Sequence, residues 1–166
     1  MFLFLDIDEV LNSHEYWLLR VKNHHRYELD KNAIKLLNLL MEQLPDLKII
    51  ISSSQRKIHD LDYFKKAFAH NGFLFSDTII GMTPSLHTIR GLEINEYCRL
   101  NGISNFAIVD DGSDMLDEQF NRFIHINAMT GITILDILKI IKVLDSDNKF
   151  YQESKFYIDD WKRKGI

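Results

Sequence analysis

Asp6 and Asp8 follow directly on the apolar run Met1-Phe2-Leu3-Phe4-Leu5, and Asp110 and Asp111 follow directly on Phe106-Ala107-Ile108-Val109. Carboxylates are common in turns after strands, so either pair alone says little. Together they say more, because two unit charges about 4 Å apart repel by about 4 kcal/mol at an effective dielectric of 20. Neighbouring strand ends that gathered three of these groups would call for a cation. Oxygen ligands with no Cys/His pattern beside them favour magnesium over zinc or copper. Ser52 and Ser53 offer hydroxyl and backbone donors to an anion, while Arg56 and Arg90 offer fixed positive charge. A metal, a carboxylate nucleophile and phosphate donors are the parts of phosphoryl transfer.

The elements that must position these residues are legible in the apolar pattern. Residues 1–5 read as a strand buried on both faces, delivering side chains to the carboxyl edge of a sheet. Ile34, Leu37, Leu40, Met41 and Leu44 recur at helical spacing, with Asp30 as cap and Pro45 as stop. Residues 47–51 form a second apolar run that ends in Ser52-Ser53-Ser54. The spacing predicts a helix over 60–70, a short extended segment over 73–80 closed by Gly81-Met82-Thr83-Pro84, and a helix over 93–100. Strands are expected at 106–109 and 123–126, and a last core helix over 132–144. Strands alternating with helices predict an α/β fold: one Rossmann-like three-layer domain, a mostly parallel sheet, no large cap, and any ligand at the strands' carboxyl ends.

The chain has 166 residues, 46% of them apolar and 27% charged, the balance of a soluble domain able to bury a full core. A net charge of -4 gives no bulk electrostatic case for nucleic acid. A local case rests on Arg20, Lys22, His24, His25 and Arg26, which either track a phosphate backbone or form a solvated loop. Adjacent side chains diverge in regular structure, so the two histidines there are not expected to bind metal together. Tyr16 and Trp17 beside the cluster could stack on a base or close the core; His14 and His125 are expected to be structural. The single cysteine, Cys98, reads as core packing in a reducing compartment. The opening run is too short for a signal peptide or a membrane span, so a cytoplasmic protein with no membrane partner is expected. Residues 1–144 are taken as the domain and 145–166 as a tail. Phe150, Tyr151, Phe156, Tyr157, Ile158 and Trp161 could give the tail one apolar face, docked on the domain or open to a partner protein.

At this point the chain resembles a known family. Phe4-Leu5-Asp6-Ile7-Asp8-Glu9-Val10-Leu11-Asn12 is similar to the first motif of the haloacid dehalogenase (HAD) superfamily, an Asp-x-Asp pair after the first strand. Ile49-Ile50-Ile51-Ser52 resembles the second motif, Arg90 stands where the third motif's Lys or Arg belongs, and Ala107-Ile108-Val109-Asp110-Asp111 resembles the acidic fourth. Ile51-Ser52-Ser53-Ser54-Gln55-Arg56, Ile80-Gly81-Met82-Thr83-Pro84, Arg90-Gly91-Leu92-Glu93-Ile94 and Thr130-Gly131-Ile132-Thr133 are similar to small capless members, including the HAD domains of Swiss Army Knife RNA repair proteins.

The resemblance implies that Asp6 attacks phosphorus, Asp8 acts as acid and then base, Ser52 binds a phosphate oxygen and Arg90 steadies Asp6 and the transition state. Magnesium would be held by Asp6, the carbonyl of Asp8 and Asp110, with Asp111 or Asp114 acting directly or through water. Ser53 and Arg56 would add phosphate contacts. The sequence departs from the pattern at Glu9, where glycine is common, at Val10 for threonine, at Gln55 for tryptophan, and at Arg90 for lysine, for which Lys65 or Lys66 is the alternative. Without a cap the site would admit a phosphate on a bulky polymer: a nucleic-acid 3′-phosphate is the leading expectation, with a nucleotide or phosphoprotein as competitors. Two further readings are a non-catalytic phosphate- or partner-binding module and a phosphoacceptor switch domain. The order of the acidic pairs fits the switch domain poorly.

Overall fold

The opening run becomes β1 (Phe2–Leu5), the middle strand of a five-stranded sheet in the computed structural model, which describes residues 1–19, 28–86 and 88–164, with side chains to residue 159. β2 (Lys48–Ile51) and β4 (Phe106–Asp110) flank it, with β3 (Ile79–Met82) beyond β2 and β5 (Phe123–His125) beyond β4. All four pairings are parallel. The chain winds outward through β2 and β3, then crosses back to β4 and β5, so the order reverses at β1. In such sheets ligands bind at the carboxyl ends of the strands beside that reversal.

Side chains alternate along a strand, and β1 serves two cores. Leu3 and Leu5 face a layer built on α2 (Lys31–Gln43), α3 (Leu61–His70) and α5 (Ile134–Leu144); Phe4 faces α4 (Arg90–Asn101) through Ile94 and Cys98. This accounts for an apolar run without polar alternation and places Cys98 in packing. Asp30 caps α2 by accepting from Asn32 N at 2.8 Å, and Asp60 caps α3 by accepting from Tyr63 N at 2.8 Å.

Two local expectations are corrected. Residues 73–80 are not one extended piece: Phe73 and Phe75 pack into the aromatic cluster with Phe68, a 3-10 turn follows at Ser76–Thr78, and β3 takes in Gly81 and Met82. The burial of Phe73 and Phe75 goes to side-chain packing, not to strand pairing, and Leu74 between them is exposed. α4 begins at Arg90, three residues early, because Asp114 anchors its first turn from another loop, as described below. The segment after the first acidic turn carries its own short helix, α1 (His14–Leu19). The basic cluster at 20–26 lies outside the described residues.

Among the described residues, the links on either side of β2 hold only helices and turns, with no additional sheet, and no helix is long and apolar enough to cross a membrane. The tail forms α6 (Lys149–Lys164). Its first turn docks, Phe150 and Tyr151 packing on the main core and Asn148 Nδ2 donating to Gln43 O at 3.0 Å; further along, Ile158 is half-buried, whereas Phe156 and Tyr157 are exposed. Phe156 and Tyr157 therefore stand apart from the buried part of the apolar face expected of the tail. The side chain of Trp161 lies outside the described residues.

Candidate active site

Register brings the chemistry together. Leu5 pairs with Ile51 on one side and Val109 on the other, so the next residues, Asp6, Ser52 and Asp110, stand at one level on the carboxyl edge of the sheet. Asp6 N donates to Val109 O at 3.0 Å and Ser52 N to Leu5 O at 2.9 Å, carrying the ladder to the edge of the site. Asp6 and Asp110 are buried. With Asp111 they can offer one carboxylate oxygen each within 4.8 Å of one another.

Arg90 answers this negative charge. From the first turn of α4, its Nη1 lies 2.6 Å from Asp110 Oδ2 and 3.3 Å from Asp6 Oδ2. Asp114 holds the arginine in place, accepting from Arg90 N at 2.7 Å, while Gly91 N donates to Asp114 O at 3.0 Å. Gly91 is required for this approach, since a Cβ there would sit 2.7 Å from Leu116 N. Asp114 thus serves the helix end, and Asp111 is the residue grouped with Asp6 and Asp110. Lys66 pairs with Asp62 at 2.6 Å on the surface of α3, so Arg90, and neither Lys65 nor Lys66, makes the ion pairs to the acidic group.

The turn after Asp8 explains the missing glycine. Glu9 adopts φ 61°, the left-handed conformation that glycine takes without penalty, at a cost of roughly 1–3 kcal/mol for another residue. Its side chain is tied down: Oε1 meets His14 Nε2 at 2.5 Å, and the Glu9 and Asp111 carboxyl groups share a hydrogen bond. His125 Nε2 in turn meets Asp111 O at 2.7 Å. Nothing in residue type or spacing marks this chain of contacts. The loop at 127–133 closes on the same turn, where Ile132 N donates to Val10 O at 2.9 Å and a Cβ on Gly131 (φ 68°) would meet that oxygen at 2.9 Å.

Asp8 is half-buried, and its Oδ1 accepts from Gln55 Nε2 at 2.7 Å. Burial raises the Asp8 carboxyl above its ordinary range, and Gln55 pulls against that rise. Gln55 is therefore part of the site, although the sequence marked it only as a departure. Ser52 is fully buried and its Oγ has no hydrogen-bond partner among the described residues, a state that costs about 1–3 kcal/mol. Ser53 is buried too, and its Oγ accepts from Gln55 N at 3.4 Å, capping the 3-10 turn Ser54–Lys57.

Arg56 is a correction. It was expected to present charge to a phosphate, but its guanidinium turns inward, donating to Ser52 O at 2.7 Å, Ser53 O at 2.6 Å and Thr83 O at 3.1 Å, and pairing with buried Glu93. It clamps the ends of β2 and β3 to α4.

The acidic group suits a hard divalent cation, being made of oxygen donors alone, two of them buried. Burial and then the charge of Asp6 push the Asp110 carboxyl up to about 7; burial and then the hydrogen bond with Glu9 push Asp111 up to about 6. Because folded Asp110 keeps its proton to higher pH than the unfolded residue, its stabilising contribution is full below about pH 4 and is lost as pH rises to about 7. Cation-free wild type should accordingly lose melting temperature relative to Asp110→Asn across that window, and magnesium should flatten the trend. A difference independent of pH would contradict it.

No curated protein and no solved structure matches the chain. One family model, described as the HAD domain in Swiss Army Knife RNA repair proteins, matches residues 2–137, a span that includes all five strands and every residue of the site. With the parallel sheet and the site residues in the order Asp6, Ser52, Arg90, Asp110, the match places the chain in that family: it is a HAD-superfamily domain of the kind found in Swiss Army Knife RNA repair proteins.

Proposed function

We propose that the chain is a magnesium-dependent phosphomonoesterase that works through an aspartyl-phosphate on Asp6 and removes a terminal phosphate from nucleic acid. The observation that carries the chemistry is the level placement of Asp6 and Asp110, both within reach of Arg90, with Asp8 two residues further on. The family's description supports the hydrolase, and its occurrence in RNA repair proteins supports the choice of substrate.

Asp6 attacks phosphorus, forming an O–P bond as the bond to the leaving alcohol breaks, and Asp8 gives its proton to that alcohol oxygen. Asp8 then takes a proton from water, whose oxygen attacks phosphorus and frees Asp6 and inorganic phosphate. The raised Asp8 carboxyl suits the first task, and Gln55 fixes one of its oxygens so that the other is left for the substrate. Arg90 holds Asp6 in place and supplies fixed charge as negative charge develops on the phosphoryl oxygens. Asp6, Asp110 and Asp111 would hold magnesium, which when bound neutralises the gathered charge and orients the phosphate.

Ser52 is assigned to a phosphate oxygen through its unpartnered hydroxyl. Ser52→Ala should lower kcat/KM by about 10- to 100-fold while leaving the melting temperature unchanged or slightly higher, since an unsatisfied buried donor is removed. Loss of stability with unchanged kinetics would reverse the assignment.

Phosphate release from a 3′-phosphorylated oligonucleotide with magnesium, beside a simple aryl phosphate, tests the reading. Turnover of both by wild type and of neither by Asp6→Asn supports it. Turnover of the aryl phosphate alone keeps the phosphatase and removes the nucleic-acid end; turnover of neither leaves a binding module.

A further inference from the structure

A cavity of about 290 Å³ opens beside Gln55, the residue that donates to Asp8. Ile7 reaches it from the catalytic turn, Trp17 from α1, Gln55 and His59 from the segment after β2, and Tyr63 and Phe64 from α3. Aromatic rings make up much of the wall. The His59 and Tyr63 rings stack with centroids 3.6 Å apart and planes within 5°, and Phe64 stands edge-on to both at 6.3 and 5.5 Å. Rings packed against one another cannot rotate freely, so they offer a flat, preformed surface.

Two features tie this cavity to the reaction. Gln55 lines it and also donates to Asp8, the residue assigned to protonate the leaving alcohol. Ile7, between Asp6 and Asp8 in sequence, lines it as well. Through Gln55 the cavity adjoins the group assigned to protonate the leaving alcohol. Its volume is at the small end of the roughly 300–1,000 Å³ of ligand pockets, room for one ring system and little more. Aromatic walls bind flat rings by stacking, largely irrespective of which base is presented.

We infer that this cavity is a subsite for the nucleobase of the nucleotide that bears the scissile phosphate. The inference rests on the phosphatase reading and narrows its substrates to phosphates with a planar heteroaromatic ring one sugar away. Sugar, glycerol and peptide phosphates would place nothing on the stacked rings. The subsite recognises a flat ring and sets no strong preference among bases.

Two measurements test it together. In steady-state assays with magnesium, a nucleoside 3′-monophosphate should have a kcat/KM at least tenfold above that of glycerol phosphate. Tyr63→Leu should cut that ratio by about 5- to 100-fold, the range of losses for removing one stacking partner, and Tyr63→Phe should restore it. In calorimetric titrations of Asp6→Asn, the unphosphorylated nucleoside should bind, and binding should weaken when Tyr63→Leu is added. Equal kcat/KM for the two substrates, or a Tyr63→Leu variant that slows both alike, would overturn the subsite while the phosphatase stands. Should nothing be hydrolysed, nucleoside binding that depends on Tyr63 would uphold the subsite and remove the phosphatase; no nucleoside binding would overturn the subsite.

Discussion

Asp6→Asn should leave the protein folded and reduce phosphate release by on the order of a thousandfold or more. An amide oxygen is a poor nucleophile, so the covalent step loses its attacking atom. The replacement has nearly the same shape, and its side-chain oxygen can still accept from Ile7 N, as Asp6 Oδ1 does at 2.7 Å. Arg90 keeps its closer partner, Asp110, at 2.6 Å. Stability should therefore stay within about 1 kcal/mol of wild type. Phosphate release and a thermal melt on the same preparation check both halves. Activity within tenfold of wild type would remove Asp6 as nucleophile, and a lost folding transition would mean the residue is structural.

Arg56→Ala should do the opposite, collapsing stability and sparing chemistry in the molecules that remain folded. The Glu93 carboxylate would be left buried without its cation, and the carbonyls of Ser52, Ser53 and Thr83 would lose their donors. Breaking a buried pair from one side costs about 3–5 kcal/mol, against a total stability of about 5–15 kcal/mol. At about 2–4 °C per kcal/mol for a domain of this size, the melting temperature should drop by roughly 10 °C. Arg56→Lys should recover little, because one ammonium cannot span the carbonyls that the guanidinium fork reaches. KM for an aryl phosphate, measured well below the melt, should stay within about twofold. A raised KM with an unchanged melt would return Arg56 to the phosphate site.

The contrast between Arg56 and Gln55 marks how far the sequence could be read. Asp6, Ser52 and Asp110 were legible because a parallel strand buried on both faces is an unbroken apolar run, and the first polar residue after it lies at the carboxyl edge. Strand pairing then sets their level, and a one-domain alternation of strands and helices leaves few ways to order the sheet. Arg56 and Gln55 are neighbours on a 3-10 turn, and only the approach of β3 and α4 decides which of them faces the site. That approach depends on Gly91 and the Asp114 loop, far away in sequence. The Glu9 turn was hidden for another reason: a residue in the left-handed region is recognised from sequence by its being glycine, and here a strained glutamate is held by His14 and Asp111. Phe73 and Phe75 misled through their type, since aromatic residues favour strands but equally fill a core. In the tail, helical spacing of aromatics suggested one buried face, but Phe150 and Tyr151 pack on the core while Phe156 and Tyr157 stand exposed.

The central claim, that Asp6 is the residue that carries the phosphoryl group, can be tested at the atom concerned. Enzyme mixed with magnesium and an aryl phosphate would be quenched in acid during turnover, reduced with borohydride, digested and mapped by mass spectrometry, because reduction converts an acyl phosphate on aspartate to homoserine. Homoserine at position 6, dependent on both substrate and magnesium and absent when either is withheld, is the predicted result. Homoserine at position 110 instead, or steady phosphate release with Asp6 unmodified, would contradict the account.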